Sequence, residues 1–252
     1  MAQKAELVQL KAATLQAFET YTLNAHEEMH APIGGAASFL WSELTAERAH
    51  NVHSGEVVAE FWSGKAPVKA PDGLIHDWIG AAFMAGETLQ RALGLMQDYD
   101  NHKSVYQPEV IASKLISREG DDFKIYLRLL KKKVLTVVLD TDHDVHYEPI
   151  DERRWFCRSF TSRVSEVHNA GKPDENILPP DTGYGFLWRM NTHWRLYQAD
   201  DGVFIECRAI SLTRDIPTGL GWIIEPIVKK LPRESLINTL KATRQALVDK
   251  SR

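Results

Sequence analysis

The stretch from Tyr184 to Pro217 constrains this chain more than any other. Two long runs, residues 185–198 and 203–213, flank Ala199-Asp-Asp-Gly202, and an Asp-Gly between aromatic and β-branched runs marks a β-hairpin. The simplest antiparallel register sets Gln198 opposite Val203. Tyr197 then faces Phe204, Arg195 faces Glu206, His193 faces Arg208 and Asn191 faces Ile210. Successive side chains alternate across a strand, so the other face pairs Leu196 with Ile205, Trp194 with Cys207, Thr192 with Ala209 and Met190 with Ser211. One face is charged. The other is apolar and ends in small residues that leave room for an element to lie across it. The following segment supplies that element. Pro232 suits the first turn of a helix, and Leu236, Leu240, Thr243 and Leu247 form its apolar stripe.

The charged face, with Arg189, His193, Arg195, Glu206 and Arg208, is expected to be a solvent-facing ladder whose pairs stabilise little. Its alternatives are burial under the N-terminal residues, or a slipped register that turns it toward the core.

The rest of the chain supplies the sheet. Residues 4–29 are rich in helix formers, with Leu7, Leu10, Thr14, Phe18 and Tyr21 at helical steps. A polar helix through residues 44–49 and a strand over 56–62 come next. Residues 63–72 carry prolines and glycines and read as a linker, dividing a helical N-terminal extension, 1–72, from a main domain, 73–252. That domain opens with a strand over 74–83 and a helix with Leu89, Ala92, Leu93 and Met96 on one face, broken by Asp98-Tyr-Asp-Asn-His102. Strands are expected over 109–117, 123–130, 134–141 and 154–164.

The order is strand, helix, a run of antiparallel strands, then a long terminal helix. With the Leu89–His102 stretch and the Trp188–Arg214 hairpin feeding the helix, residues 73–248 resemble the START-like, Bet v 1-like helix-grip superfamily, whose bacterial members are often labelled polyketide cyclase or dehydrase. The resemblance implies an α+β fold in which a curved antiparallel sheet grips a long C-terminal helix. It also implies a cavity for a small, mostly apolar molecule, such as a lipid, sterol or polyketide-like compound. Trp188, Met190, Thr192 and Trp194 from the hairpin and Leu236 and Leu240 from the helix are the expected lining. His76 and Trp78 share one face of the first core strand and complete the candidate site, His76 as the polar anchor. The superfamily shares a cavity and no set of reacting residues, so a binding protein is favoured over an enzyme. A cyclase or aromatase on the same scaffold is the rival, with His76, His193 and Arg195 as its acid/base candidates.

Other motifs are weaker. His26-Glu-Glu-Met-His30 has the spacing of a zinc metallohydrolase helix, but Glu28 and Pro32 break the pattern and no third ligand stands out. Asp140-Thr-Asp-His-Asp-Val-His-Tyr-Glu148 places carboxylates alternately, but Val145 holds the position where a calcium loop needs Gly. A solvated turn between strands is expected there. Neither a phosphate loop nor a dinucleotide fingerprint occurs, so no cofactor and no metal is expected. Cys157 and Cys207 fall in strands and are read as buried free thiols. The net charge is −4 and the pI about 6.2, which invite no nucleic acid, and Lys131-Lys-Lys133 is read as solvated surface. No apolar run is long enough to span a bilayer. As written, the chain reads as cytoplasmic, or as periplasmic or secreted if a leader preceded it. The sequence sets no oligomeric state.

Overall fold

The computed structural model describes residues 7–31, 38–62, 64, 67–132, 136–215 and 221–249, and in the last helix the side chains of 231–248. The Pro32-Ile-Gly-Gly35 segment, Ser63, Lys65, Lys133, Gly219 and the side chain of Trp222 lie outside these residues.

The chain runs β1 (Val8–Gln9), α1 (Ala12–His30), a 3-10 turn at Ser42–Leu44, α2 (Ala46–His53), β2 (Val58–Phe61), β3 (Val68–Ala70) and β4 (Gly73–Ala85). Then come α3 (Leu89–Gln97), a 3-10 turn at Tyr99–Asn101, α4 (His102–Val105), β5 (Val110–Glu119), β6 (Asp122–Lys132), β7 (Thr136–Pro149) and β8 (Arg154–His168). The short β9 (Asn176–Ile177) and β10 (Thr182–Gly183) lead into β11 (Arg189–Ala199), β12 (Gly202–Arg214) and α5 (Gly221–Asp249). The large antiparallel sheet has the order β2-β4-β12-β11-β8-β7-β6-β5. β3 also pairs with β4, and β9 with β8.

The hairpin has the expected register along its whole length, with Trp194 opposite Cys207, Arg195 opposite Glu206 and Gln198 opposite Val203. β11 then pairs with β8 and β12 with β4, which makes the hairpin the centre of the sheet. Its apolar face receives α5. Leu236, Leu240, Thr243 and Leu247 are all buried there, Leu236, Leu240 and Leu247 in one cluster with Ala59, Trp78, Ala82 and Ile205. Gly80 permits this contact, because a Cβ at that position would lie 2.9 Å from Leu240 Cδ1 and 3.1 Å from the Val58 carbonyl. The helix begins at Gly221, so Pro232 lies within it and not in its first turn. Packing of the apolar stripe on the sheet outweighs the local preference of proline.

The charged face is not a solvent-facing ladder. His193, Arg195, Glu206 and Arg208 are each no more than 2% exposed, covered by α1 and the segment around residues 38–42. The cover supplies partners for the charges. Arg195 donates to the Phe39 carbonyl at 2.8 Å and through Nε and Nη2 to that of Met29, while Glu206 accepts from the backbone N–H groups of Trp41 and Ser42 at 2.9 and 2.7 Å. Arg208 is clamped between Asp77 at 2.6 Å and Glu28 at 2.7 Å, and the Tyr21 hydroxyl donates to Asp77 at 2.7 Å. Burial pulls the Arg195 guanidinium down to about 10, against the attraction of Glu206, and it stays cationic at neutral pH. Burial pushes the Glu206 carboxyl up. Buried charges persist only when paired or hydrogen-bonded, and here the N-terminal residues provide that pairing together with Asp77 of β4.

Two other expectations change. Residues 68–70, read as linker, form β3 on the edge of β4, beside β2. The Asp140–Glu148 stretch is no turn but the middle of β7, which runs unbroken to Pro149. Its alternation has strand period, with Thr141, His143, Val145 and Tyr147 buried and Asp142, Asp144, His146 and Glu148 at least partly exposed.

Candidate functional site

Between the apolar face of the sheet and α5 lies a cavity of about 830 Å³. Its floor is built by β6, β7, β8, β11 and β12, and α5 roofs it through Leu231, Pro232, Ser235, Leu236 and Thr239. The segment from α3 to α4 closes the inner end. Thr88 caps α3 by accepting from Arg91 N–H at 3.3 Å, and Gln198 of β11 accepts from Leu89 N–H at 2.6 Å. His102 is buried with Nε2 3.1 Å from the Met96 carbonyl, and burial holds its pKa near 4. The Tyr99 and Tyr147 hydroxyls meet at 2.9 Å in the inner wall.

Two apolar groups divide the lining. At the inner end Ile125, Val145, Tyr147 and Cys157 pack with Tyr99 and Trp194. Toward the opening, Val110, Leu129 and Leu139 pack with Leu127, Leu187 and Met190. Between them lies a short polar row. Ser159 and Thr192 sit directly opposite each other on β8 and β11, with Ser211 one rung along on β12. His143 on β7 places Nδ1 3.4 Å from Ser159 Oγ. Its Nε2 is 2.9 Å from Thr141 Oγ1, whose hydroxyl donates to the Leu127 carbonyl at 3.1 Å. The Thr141 oxygen therefore accepts, Nε2 carries the imidazole proton, and Nδ1 is the acceptor for Ser159. Burial holds His143 near 4, opposing the pull of Asp142 and Asp144, so it is neutral at physiological pH.

The opening is held by charged groups. The Glu166 carboxylate is buried and accepts from the backbone N–H groups of Tyr184, Gly185 and Phe186 at 2.8, 2.9 and 3.2 Å, which pins the lip of the cavity. Gly183 makes room for that carboxylate, because a Cβ there would lie 2.5 Å from its carbon. Lys131 is not simply solvated surface. It pairs with Glu109 and donates to Ser235 of α5 at 2.7 Å, while Asn238 of α5 donates to Glu109 at 2.8 Å.

Of the residues singled out in the sequence, Met190, Thr192, Trp194 and Leu236 line the cavity, the first three half-buried. Trp188 does not. It precedes the first residue of β11, the alternation does not extend to it, and it packs on the opposite side of the sheet with Phe18, Ile75 and Leu212. Leu240 and Trp78 are spent on packing the helix against β4, Trp78 beside Phe61 at 3.7 Å between ring centres. His76 is on the helix side of β4 but fully buried outside the cavity lining. Its Nε2 is 3.0 Å from Thr213 Oγ1, and burial holds it near 4. His193 and Arg195 face away, beneath α1, and have no route to the cavity. His143, Ser159, Tyr99 and Tyr147 are not among the expected lining residues, and His143 is expected in a solvated turn, although the strand-period alternation from Thr141 to Glu148 carries the signal for His143 and Tyr147.

His26 and His30 do share a face of α1, their rings 5.5 Å apart, but His26 turns toward His193 and His30 Nε2 contacts Glu148 at 3.1 Å. Among the described residues no group of three or more histidine, cysteine or acidic side chains could hold a metal ion. Cys157 and Cys207 are buried free thiols on the two strands flanking Trp194, and burial pushes both well above the ordinary thiol range. Among the described residues no helix is long and apolar enough to cross a membrane.

No protein-family model matches the sequence, and no curated protein matches it. Solved structures do resemble it. A STAR-related lipid transfer protein from Xanthomonas axonopodis is 19% identical, covering 73% of this chain and 98% of its own, with a TM-score of 0.48. The Zhui aromatase/cyclase from Streptomyces sp. R1128 is 9% identical, covering 71% and 96%, at 0.47. A START superfamily protein from Mycobacterium smegmatis is 13% identical, covering 69% and 99%, at 0.45. The element order, the antiparallel sheet centred on the β11–β12 hairpin and the terminal helix laid across its apolar face make this an α+β chain with a helix-grip fold.

Proposed function

We propose that this protein binds a small, mostly apolar molecule, lipid, sterol or polyketide-like, in the cavity between the sheet and α5. The observation that carries the reading is the cavity itself: about 830 Å³, walled largely by aliphatic and aromatic side chains, with a few polar groups on its floor. That combination of size and lining is what ligand pockets share, and a core packed to ordinary density leaves no such space.

The test is titration with fatty acids, sterols and polycyclic aromatics, with tryptophan emission as the signal, since Trp194 lines the space. A Met190→Trp variant fills the cavity from its half-buried floor position. Saturable quenching, lost in the variant while its thermal midpoint is kept, supports the reading. If no ligand class perturbs the emission and Met190→Trp simply unfolds the protein, the reading falls.

A further inference from the structure

The polar row on the cavity floor constrains the ligand beyond its being apolar, provided that the ligand-binding reading of the cavity holds. Ser159 and Thr192 lie between two apolar groups, with Tyr147, Cys157 and Trp194 one rung to one side and Met190, Leu129 and Leu139 to the other, and Ser211 stands directly opposite Met190. The hydrogens of the row are largely assigned by its surroundings. Thr192 Oγ1 accepts from the Trp194 indole N–H at 3.0 Å, so its own hydroxyl hydrogen is directed elsewhere, and no acceptor among the described residues receives it. Ser211 has no hydrogen-bond partner among the described residues, and its hydroxyl lines the cavity. Ser159 faces the acceptor nitrogen of His143 at the long distance of 3.4 Å, which leaves its oxygen lone pairs toward the cavity.

A row of hydroxyls midway along an apolar floor is poorly matched by a plain hydrocarbon chain, which would cover the two free donors without replacing their water. Covered polar groups left without partners cost more than a hydrogen bond returns.

We infer that the molecule held in this cavity carries a hydroxyl or carbonyl oxygen between two apolar ends, and that the Thr192 and Ser211 hydroxyls are the groups that read it. A carbonyl oxygen accepts from both hydroxyls. A ligand hydroxyl accepts from one of them and donates to Ser159.

Matched probes test this: stearic acid, 10-hydroxystearic acid and 10-oxostearic acid, each titrated against the full chain by tryptophan emission. The oxygenated acids should bind about tenfold more tightly than stearic acid, the return expected from one or two neutral hydrogen bonds in a dry site. Ser211→Ala should remove part of that preference. Adding Thr192→Val should bring the three acids to within about twofold of one another, because the oxygenated acids lose their donors and stearic acid no longer covers unpaired ones. Thr192→Val also leaves the Trp194 indole without its acceptor, so the single Ser211→Ala variant, which breaks no hydrogen bond among the described residues, is the cleaner measure. Equal affinity of the wild type for all three acids overturns the inference and leaves the cavity reading standing. So does a preference that survives both substitutions. If none of the three acids binds the wild type, the inference is overturned, and the sterols and polycyclic aromatics alone decide the cavity reading.

Discussion

Replacing Arg195 by alanine separates two pictures of the charged hairpin face by a wide margin. On an exposed ladder the change would cost under about 1 kcal/mol. In the structure Arg195 is 2% exposed and donates to the carbonyls of Met29 and Phe39 across the interface with the N-terminal residues. Its loss strips two buried carbonyls of a charged donor, at about 1–3 kcal/mol each, and leaves buried Glu206 without the cation opposite it. These costs overlap. Breaking a buried charged arrangement from one side is worth about 3–5 kcal/mol in all, and about 4 kcal/mol is the expected loss. Against a total stability of about 5–15 kcal/mol that is a large share. With a urea slope of about 3 kcal/mol per molar for a chain of this size, the midpoint should fall by about 1 M at unchanged slope. Lys124→Ala is the comparison, because Lys124 pairs with Asp144 on the open surface and its removal should leave the midpoint where it was. Equal midpoints for the two variants would refute the reasoning, since the hairpin would then not be clamped from the N-terminal side.

Two further outcomes rest on the same burial. Burial holds His76, His102 and His143 near 4 and His193 near 3, all below the ordinary 6.5, so between those values the unfolded chain binds more protons than the folded one. Stability should be full above pH 6.5 and fall as pH drops toward 4, by up to about 3 kcal/mol for each imidazole; urea midpoints unchanged between pH 7 and pH 5 would show that these rings titrate as exposed ones do. A chain of residues 73–252 alone should fail to fold, because it lacks β2 and β3 on the edge of β4 and uncovers Asp77, Arg195, Glu206 and Arg208. A cooperative thermal transition in that fragment, seen by circular dichroism, would sink this expectation.

The hairpin register, the stripe of α5 and the burial of that stripe were legible in the residues. Each depends on local features, an Asp-Gly turn, a two-residue alternation and a helical spacing, which act within a few residues and leave a periodic trace. The cover on the charged face left no such trace at Arg195 or Glu206. Met29, Phe39, Trp41 and Ser42 satisfy these groups from more than 150 positions away in sequence, and they do so with backbone carbonyls and amides that every residue carries. The same limit explains the site. Alternation placed Met190, Thr192 and Trp194 on one face, but whether a residue on that face lines open space or packs under a helix depends on where α5 crosses the sheet. Gly80 draws the helix onto β4, so Trp78 and Leu240 are consumed in packing. Farther across the sheet the floor lies open beneath α5, and His143 and Ser159, 16 positions apart on the neighbouring strands β7 and β8, meet on it. Local periodicity decided which way each side chain points; only the long-range packing decided what it meets there.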